Sequence, residues 1–175
     1  MIKWEVFKHN RCEYDLSHLH PTIVVYEQPA KGAQIAKTFT VEVCYGLHCF
    51  TEGNSKIANV NPLRYSDTRE TRLFDFQRYE LSKQLPNIIE GLNHRSCMHT
   101  GHGNFFIVEL TLQNGVKQEY EVYFEIKIAK PNIAHLVVNS AFAPDGRRTR
   151  KQTKKISLYT ILANRLSGKP IKAPR

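Results

Sequence analysis

The pattern of apolar and polar positions predicts two strands in the first fifty residues. Between residues 37 and 45 apolar side chains occupy every second position, from Phe39 to Tyr45. A period of two is typical of a half-buried strand. Residues 22–27 form a run of β-branched and apolar side chains after Pro21, which predicts an earlier strand.

Three further strands are predicted as an antiparallel meander. The segments 104–112, 118–128 and 133–142 are rich in Phe, Val and Ile, and the middle one alternates over its whole length. The dipeptide Asn114 and Gly115 is a hairpin signal between the first two segments, and residues 130–132 form a turn between the second and the third. Strands joined by tight turns pair in antiparallel fashion.

Helices are predicted in two parts of the chain. Asp67 followed by Glu70 has the form of a capping box, which predicts the start of a helix, and a ragged apolar face follows. Pro86 ends this helix or begins a second one over residues 86–92. Residues 156–166 place apolar side chains at helical spacing and predict a terminal helix.

These elements predict an α+β fold in a single domain, with an antiparallel sheet and helices packed on one of its faces. The length of 175 residues agrees with one domain and a core of ordinary size. We expect residues 1–146 to form this body. Residues 147–175 are expected to form a basic segment whose helix packs on the body.

Positive charge is concentrated towards the carboxyl terminus. The formal net charge is +9, yet residues 1–145 carry 15 basic and all 16 acidic side chains, and Asp145 is the last acidic residue. Six of the nine residues from 147 to 155 are basic: Arg147, Arg148, Arg150, Lys151, Lys154 and Lys155. Such a run predicts binding to nucleic acid, RNA before DNA, through contacts with phosphates. The alternatives are an acidic protein partner and a solvated basic loop.

The compartment expected from the sequence is the cytoplasm. The amino terminus has no signal-peptide pattern, and no apolar stretch approaches the ~20 residues needed to cross a bilayer, so no membrane partner is expected. The four cysteines include no CxxC pair, which favours free thiols. Motifs for nucleotide hydrolysis, dinucleotide redox chemistry and α/β-hydrolase activity are also absent from the sequence.

A loop at residues 93–103 concentrates histidines and allows a metal site. His94, Cys97, His99 and His102 are all ligand types that zinc accepts in a tetrahedral site. Their spacing matches no familiar zinc module, so we expect no cofactor and keep zinc as the alternative.

Metal-independent cleavage of RNA is the other chemistry that this loop allows. It requires a general base, a general acid and a cation beside the phosphate. His99, His102 and Arg95 would supply these groups from the loop. His48, at the end of a predicted strand, would face them, and Ser140 would orient the phosphate. A surface loop whose histidines only form hydrogen bonds is the alternative.

The strand that runs from His135 to Phe142 and ends in a proline turn resembles a late strand of the RelE, barnase, EndoU and colicin group of small ribonucleases. The basic chain and the order of helices before a meander are similar to that group over residues 75–145. The resemblance implies metal-independent RNA cleavage of toxin or phage-borne type. It also implies a phosphate-side role for Ser140 and an antitoxin as protein partner.

Three hypotheses therefore follow from the sequence. The first is a bacterial or phage protein that binds nucleic acid through its basic segment and cleaves RNA. The second is a non-catalytic interaction or regulatory module whose basic segment docks on an acidic protein. The third is a zinc-stabilised binding domain, and the sequence leaves open whether the protein is an enzyme.

Overall fold

The computed structural model describes residues 2–53, 62–99, 105–107, 110–111, 117–144 and 155–171. The strands are β1 (Phe7–His9), β2 (Cys12–Tyr14), β3 (Thr22–Gln28), β4 (Lys37–His48), β5 (Thr51–Glu52), β6 (Arg64–Ser66), β7 (Thr71–Phe74), β8 (Cys97–His99), β9 (Phe105–Ile107), β10 (Leu110–Thr111), β11 (Lys117–Gln118), β12 (Glu121–Lys130), β13 (Ile133–Phe142) and β14 (Lys155–Ile156). The helices are α1 (Phe76–Ser82), α2 (Leu85–Glu90) and α3 (Leu158–Leu166). Among the described residues, none of the helices has the length and apolar character needed to span a membrane.

The main sheet has seven strands in the order β14-β8-β9-β12-β13-β4-β3. Its neighbours are antiparallel except for β13 and β4, which run parallel. The predicted α+β class is confirmed, and the parallel pair is an addition to it. Turn chemistry specifies only strands that are adjacent in the chain, and the long segment between β4 and β13 places no such constraint on their direction.

One face of the main sheet forms the larger part of the core. Val43 of β4, Leu136 of β13 and Phe124 of β12 are fully buried there. Helix α3 covers this face with Ile161 and Leu162, and it contacts β12 and β13. A hydrogen bond joins α2 to the edge strand β3. The buried hydroxyl of Tyr26 in β3 donates to the main-chain carbonyl of Ile89 in α2.

A second part of the core is aromatic and joins the small sheets to α1. Its buried or half-buried rings are Trp4, Phe7, Tyr14, Phe50, Tyr65, Phe74 and Tyr79. Phe74 lies at the centre of this group, stacked on Phe7 with ring centroids 4.0 Å apart. The sheet β5-β7-β6 and the hairpin of β1 and β2 are separate hydrogen-bonded sheets, and packing of these rings joins them to each other.

The predicted helix start at Asp67 is wrong. The carboxylate of Asp67 accepts hydrogen bonds from the main-chain N–H of Arg69 and Glu70, both at 2.8 Å, as an N-cap would. The Asp67 N–H, however, donates to the Glu70 carbonyl at 3.0 Å and closes a turn between β6 and β7. An aspartate that caps its own turn satisfies the same donors as a helix cap, so the pattern does not distinguish them. The helix instead begins after Asp75, whose side chain accepts from the N–H of Arg78.

Burial of His18 makes a testable contribution to stability. Its Nε2 lies 2.8 Å from the Ser82 hydroxyl, which itself donates to the Tyr79 carbonyl, so His18 donates to Ser82 as a neutral ring. Burial lowers the pKa of His18 below its ordinary 6.5, against the opposing field of Asp15. At a pH just below 6.5, His18 is therefore protonated in the unfolded chain and still largely neutral in the folded protein. The free energy of unfolding falls as the pH is lowered through this range.

We expect the free energy of unfolding, measured by urea titration, to fall between about pH 7.5 and 5.5, and to fall less steeply in His18→Gln. His94→Gln is the matched control, because His94 is exposed. Equal slopes for the wild-type protein and His18→Gln would contradict this assignment.

Candidate functional site at the upper end of the main sheet

Polar side chains gather where the two parallel strands end. Because β4 and β13 run in the same direction, their carboxyl ends lie at one edge of the sheet, which we call the upper end. His48 of β4 is there opposite Ser140 of β13, and Ser140 is opposite Tyr123 of β12.

A glycine sets this register. The pairing of β13 with β4 is irregular between Val138 and Ser140. A Cβ atom on Gly46 would lie 2.9 Å from the main-chain oxygen of Asn139, closer than side chains approach a carbonyl. Gly46 therefore lets β4 approach the irregular stretch of β13, and this approach leaves His48 beside Ser140.

His48 and Glu70 form a half-exposed pair at this end. The His48 Nε2 lies 2.7 Å from Glu70 Oε1, and the side chains are 38% and 39% exposed. The hydrogen bond from His48, followed by its field and that of Arg72, lowers the pKa of Glu70. The Glu70 carboxylate thus stays ionised near neutral pH and accepts the hydrogen bond from His48.

Arg72 and Arg78 form hydrogen bonds with the segment from His48 to Thr51. Arg72 donates from Nε to the Thr51 hydroxyl at 2.9 Å and reaches Glu70 at 3.5 Å. Arg78 donates from Nη1 to the carbonyl oxygens of His48 at 3.2 Å and Thr51 at 2.9 Å. Burial lowers the pKa of Arg78, although Asp75 opposes this. These guanidinium groups are largely committed to the protein, so they hold the site in place and add positive charge beside it.

An aromatic and acidic pair borders the site on the β12 side. The ring of Tyr123 stacks on Phe142, with centroids 5.7 Å apart, and the guanidinium of Arg78 lies 5.1 Å from the centre of the Phe142 ring. The hydroxyl of Tyr123 donates to the buried carboxylate of Glu121 at 2.5 Å. The stacked rings of Tyr123 and Phe142 therefore form an aromatic surface at the upper end, and the hydrogen bond to Glu121 holds Tyr123 in place.

The structure brings only some of the predicted cleavage residues together. His48 and Ser140 are neighbours, as described above. His99 lies in β8, with β9, β12 and β13 between it and β4, a separation of about 19 Å at ~4.8 Å per strand. It is also 5% exposed. Arg95 is half-buried just before β8, on the same distant side. The expected meeting of His48 with His99 and Arg95 is therefore wrong, and His102 lies outside the described residues.

The zinc alternative gains no support from the part of the chain that is described. His94 is exposed, whereas Cys97 is fully buried. Burial raises the pKa of the Cys97 thiol to about 12. Within the described ranges no group of three or more His, Cys, Asp or Glu side chains is placed to hold a metal ion. The fourth candidate, His102, is not among these residues.

Both described ends of the basic run lie at the upper end of the sheet. Arg147, Arg148, Arg150, Lys151 and Lys154 are outside the described residues. Pro144 follows the end of β13, close to Ser140. Lys155 is exposed at the start of β14 and lies in the same row across the sheet as Ser140, four strands away. The chain thus leaves the described structure after β13, near Ser140, and re-enters it in the same row of the sheet about 19 Å away, at ~4.8 Å per strand.

Sequence reasoning missed Glu70, Arg72 and Arg78. Glu70 and Arg72 were assigned to the first turn of a helix that in fact begins after Asp75, and in a helix these side chains would point in other directions. The available signal was the short strand pattern of Thr71–Phe74 next to an aspartate turn. Arg78 reaches His48 across 30 positions of sequence, and no local pattern reports such a contact.

Comparison with known proteins gives a family. A model of the YjaZ family matches residues 6–166. "Protein YjaZ" of Escherichia coli (strain K12) is 31% identical over 176 residues, which cover 98% of this chain and 96% of that protein. No solved structure matches. The resemblance of the late strand to the RelE, barnase, EndoU and colicin ribonucleases is therefore wrong, since one short strand carried it and the match to a different family spans nearly the whole chain. The chain belongs to the YjaZ family.

Proposed function

We propose that this protein binds nucleic acid, with single-stranded RNA the preferred form, at the upper end of the main sheet. One observation carries the proposal. Pro144, the last described residue before the basic run, follows β13 and Ser140, and Lys155, the last residue of the run, lies in the same row of the sheet as Ser140, four strands away.

The distribution of charge supports this surface over others. Residues 1–145 are close to neutral, so the excess of +9 resides in the last thirty residues. The side chains of Arg72 and Arg78 are 14% and 22% exposed. They contribute positive electrostatic potential at this surface rather than free hydrogen-bond donors. His48 and Ser140 are half-exposed beside them and are available to contact a phosphate or a ribose hydroxyl.

Cleavage of RNA is not part of the proposal. The two-histidine mechanism needs a base and an acid on opposite sides of one phosphate. Three strands separate His48 from His99, and His99 is buried. Binding alone is the function that the positions of these residues support.

The test is the salt dependence of binding to a labelled single-stranded RNA of about 20 nucleotides, followed by fluorescence anisotropy. If six side chains contact phosphates, log Kd should rise with log salt concentration with a slope of about 4. A duplex DNA of the same length should bind more weakly.

A glutamate-rich peptide of equal charge separates this function from docking on an acidic protein. Equal or tighter binding of that peptide would favour the protein partner and overturn the proposal. No binding of RNA at about 50 mM salt would overturn it as well, because electrostatic binding is strongest at low salt.

A further inference from the structure

A pocket lies at the opposite end of the main sheet, between the last part of β12 and the turn that follows α3. Its volume is about 470 Å³, within the range of ligand sites. We call it the α3 pocket. The lining residues used here are Ile126, Lys127, Ile128, Arg165, Lys169 and Pro170.

The pocket has an apolar side that is open to solvent. Ile128 is 53% exposed, although its neighbour Ile126 is buried. Pro170 adds a second apolar surface after the end of α3. Exposed apolar surface inside a concave site favours a ligand with a hydrocarbon part, because binding removes this surface from water.

The polar side of the pocket carries an excess of positive charge. Glu125 is the one carboxylate among the described residues that line it, and Lys127 pairs with Glu125 at 2.8 Å. The other two cations that line the pocket are Arg165 and Lys169. Neither forms an ion pair with a carboxylate in the part of the chain that the structure describes. An anion in the pocket would meet two cations without displacing an existing pair.

The Nε–H group of Arg165 is a buried hydrogen-bond donor without an acceptor among the described residues. A buried donor without an acceptor is unfavourable, and buried guanidinium groups in proteins are normally paired. The Arg165 side chain as a whole is half-buried and lines the pocket, and the terminal N–H groups of a guanidinium match the two oxygens of a carboxylate.

We propose that the α3 pocket binds a small organic carboxylate with a hydrocarbon body. The carboxylate accepts hydrogen bonds from Arg165, Lys169 lies beside it, and the hydrocarbon packs on Ile128 and Pro170. The pocket is at the other end of the sheet from the proposed nucleic-acid surface, so the two sites are independent.

The experiment is a titration of the ¹⁵N-labelled full-length protein with sodium octanoate, followed by amide shifts. We expect saturable shifts confined to residues near 125–128 and 165–170, and affinity that falls at least tenfold from octanoate to acetate as apolar contact is lost. Octan-1-ol and octylammonium should bind at least tenfold more weakly than octanoate, because they lack the anion. Equal binding of either probe, or no saturable shift with octanoate, would overturn the proposal.

Two variants locate the contact. Arg165→Met should weaken octanoate binding more than tenfold, and Lys169→Ala, at an exposed position, should weaken it several-fold without disturbing the fold. Lys31→Ala, an exposed cation elsewhere, is the control and should bind octanoate as the wild-type protein does. If Arg165→Met does not fold, Lys169→Ala decides the question. Unchanged affinity in Lys169→Ala and in any folded Arg165→Met would overturn the site, whereas RNA binding at the upper end should be unaffected by both.

Discussion

Replacing Arg147, Arg148, Arg150 and Lys151 together with alanine should weaken binding of single-stranded RNA on the order of a hundredfold at about 0.1 M salt. Each lost phosphate contact removes the release of counterions that drives association. The slope of log Kd against log salt concentration should decrease by about 3 for four lost contacts on a single strand. Fluorescence anisotropy over a salt series measures both quantities.

A matched variant removes the same charge from the opposite end of the sheet. Lys31, Lys37, Lys127 and Lys130 are exposed at the lower end, where β4 and β13 begin and β12 ends. Their joint replacement by alanine changes the net charge equally and should change RNA affinity by less than about fivefold, because charges beyond a Debye length are screened. Equal losses in the two variants would show that net charge alone attracts RNA and would contradict a site at the upper end.

Phe74→Ala should lower the free energy of unfolding by about 3–5 kcal/mol. Phe74 is 1% exposed and stacks on Phe7, with Tyr14 and Tyr79 each 5.4 Å away between ring centroids. The surrounding rings belong to β1, β2 and α1, and they cannot all move into the space that alanine leaves. The loss is measured by urea unfolding of the wild-type protein and Phe74→Ala, with the same m-value for both.

Phe76→Ala is the control for this prediction. Phe76 is 37% exposed and lies 5.3 Å from Phe74 between ring centroids, so it is aromatic and local but not enclosed. We expect a loss of about 1 kcal/mol or less, in line with partial burial. Phe74 ends the strand that carries Arg72, so Phe74→Ala should also loosen the hairpin of Glu70 and Arg72. Similar losses in both variants would contradict the central place of Phe74.

Long alternating segments were predicted well from the sequence. The predicted strands at 22–27, 37–45 and 133–142 correspond to β3, β4 and β13, and the predicted helix at 156–166 corresponds to α3. In β4 and β13 buried and more exposed side chains alternate, so burial imposes the period that these segments display. β3 has one buried side chain, Tyr26, and its β-branched residues rather than a period predicted it. Short strands such as β1, β6 and β8 carry three residues each and show no period.

The candidate site was predicted only in part. His48 and Ser140 were named and are neighbours, but Glu70 and Arg78 were not. The density of histidines at 93–103 suggested a centre of chemistry there, yet Cys97 and His99 point their side chains into a buried environment from β8. Cys97 and His99 are two positions apart in β8 and share its buried face, whereas His94 before the strand is exposed, so the described side chains of this segment do not gather at one site.

By itself the sequence determined the α+β class, the main strands, the terminal helix and the position of the positive charge, because each depends on residue type and local period. Only the tertiary structure decided that β4 and β13 run parallel, that His48 meets Glu70, and that Lys155, the last residue of the basic run, lies in the same row of the sheet as Ser140. These contacts join residues far apart in the chain. The order of strands within the sheet sets them, and no local pattern encodes that order.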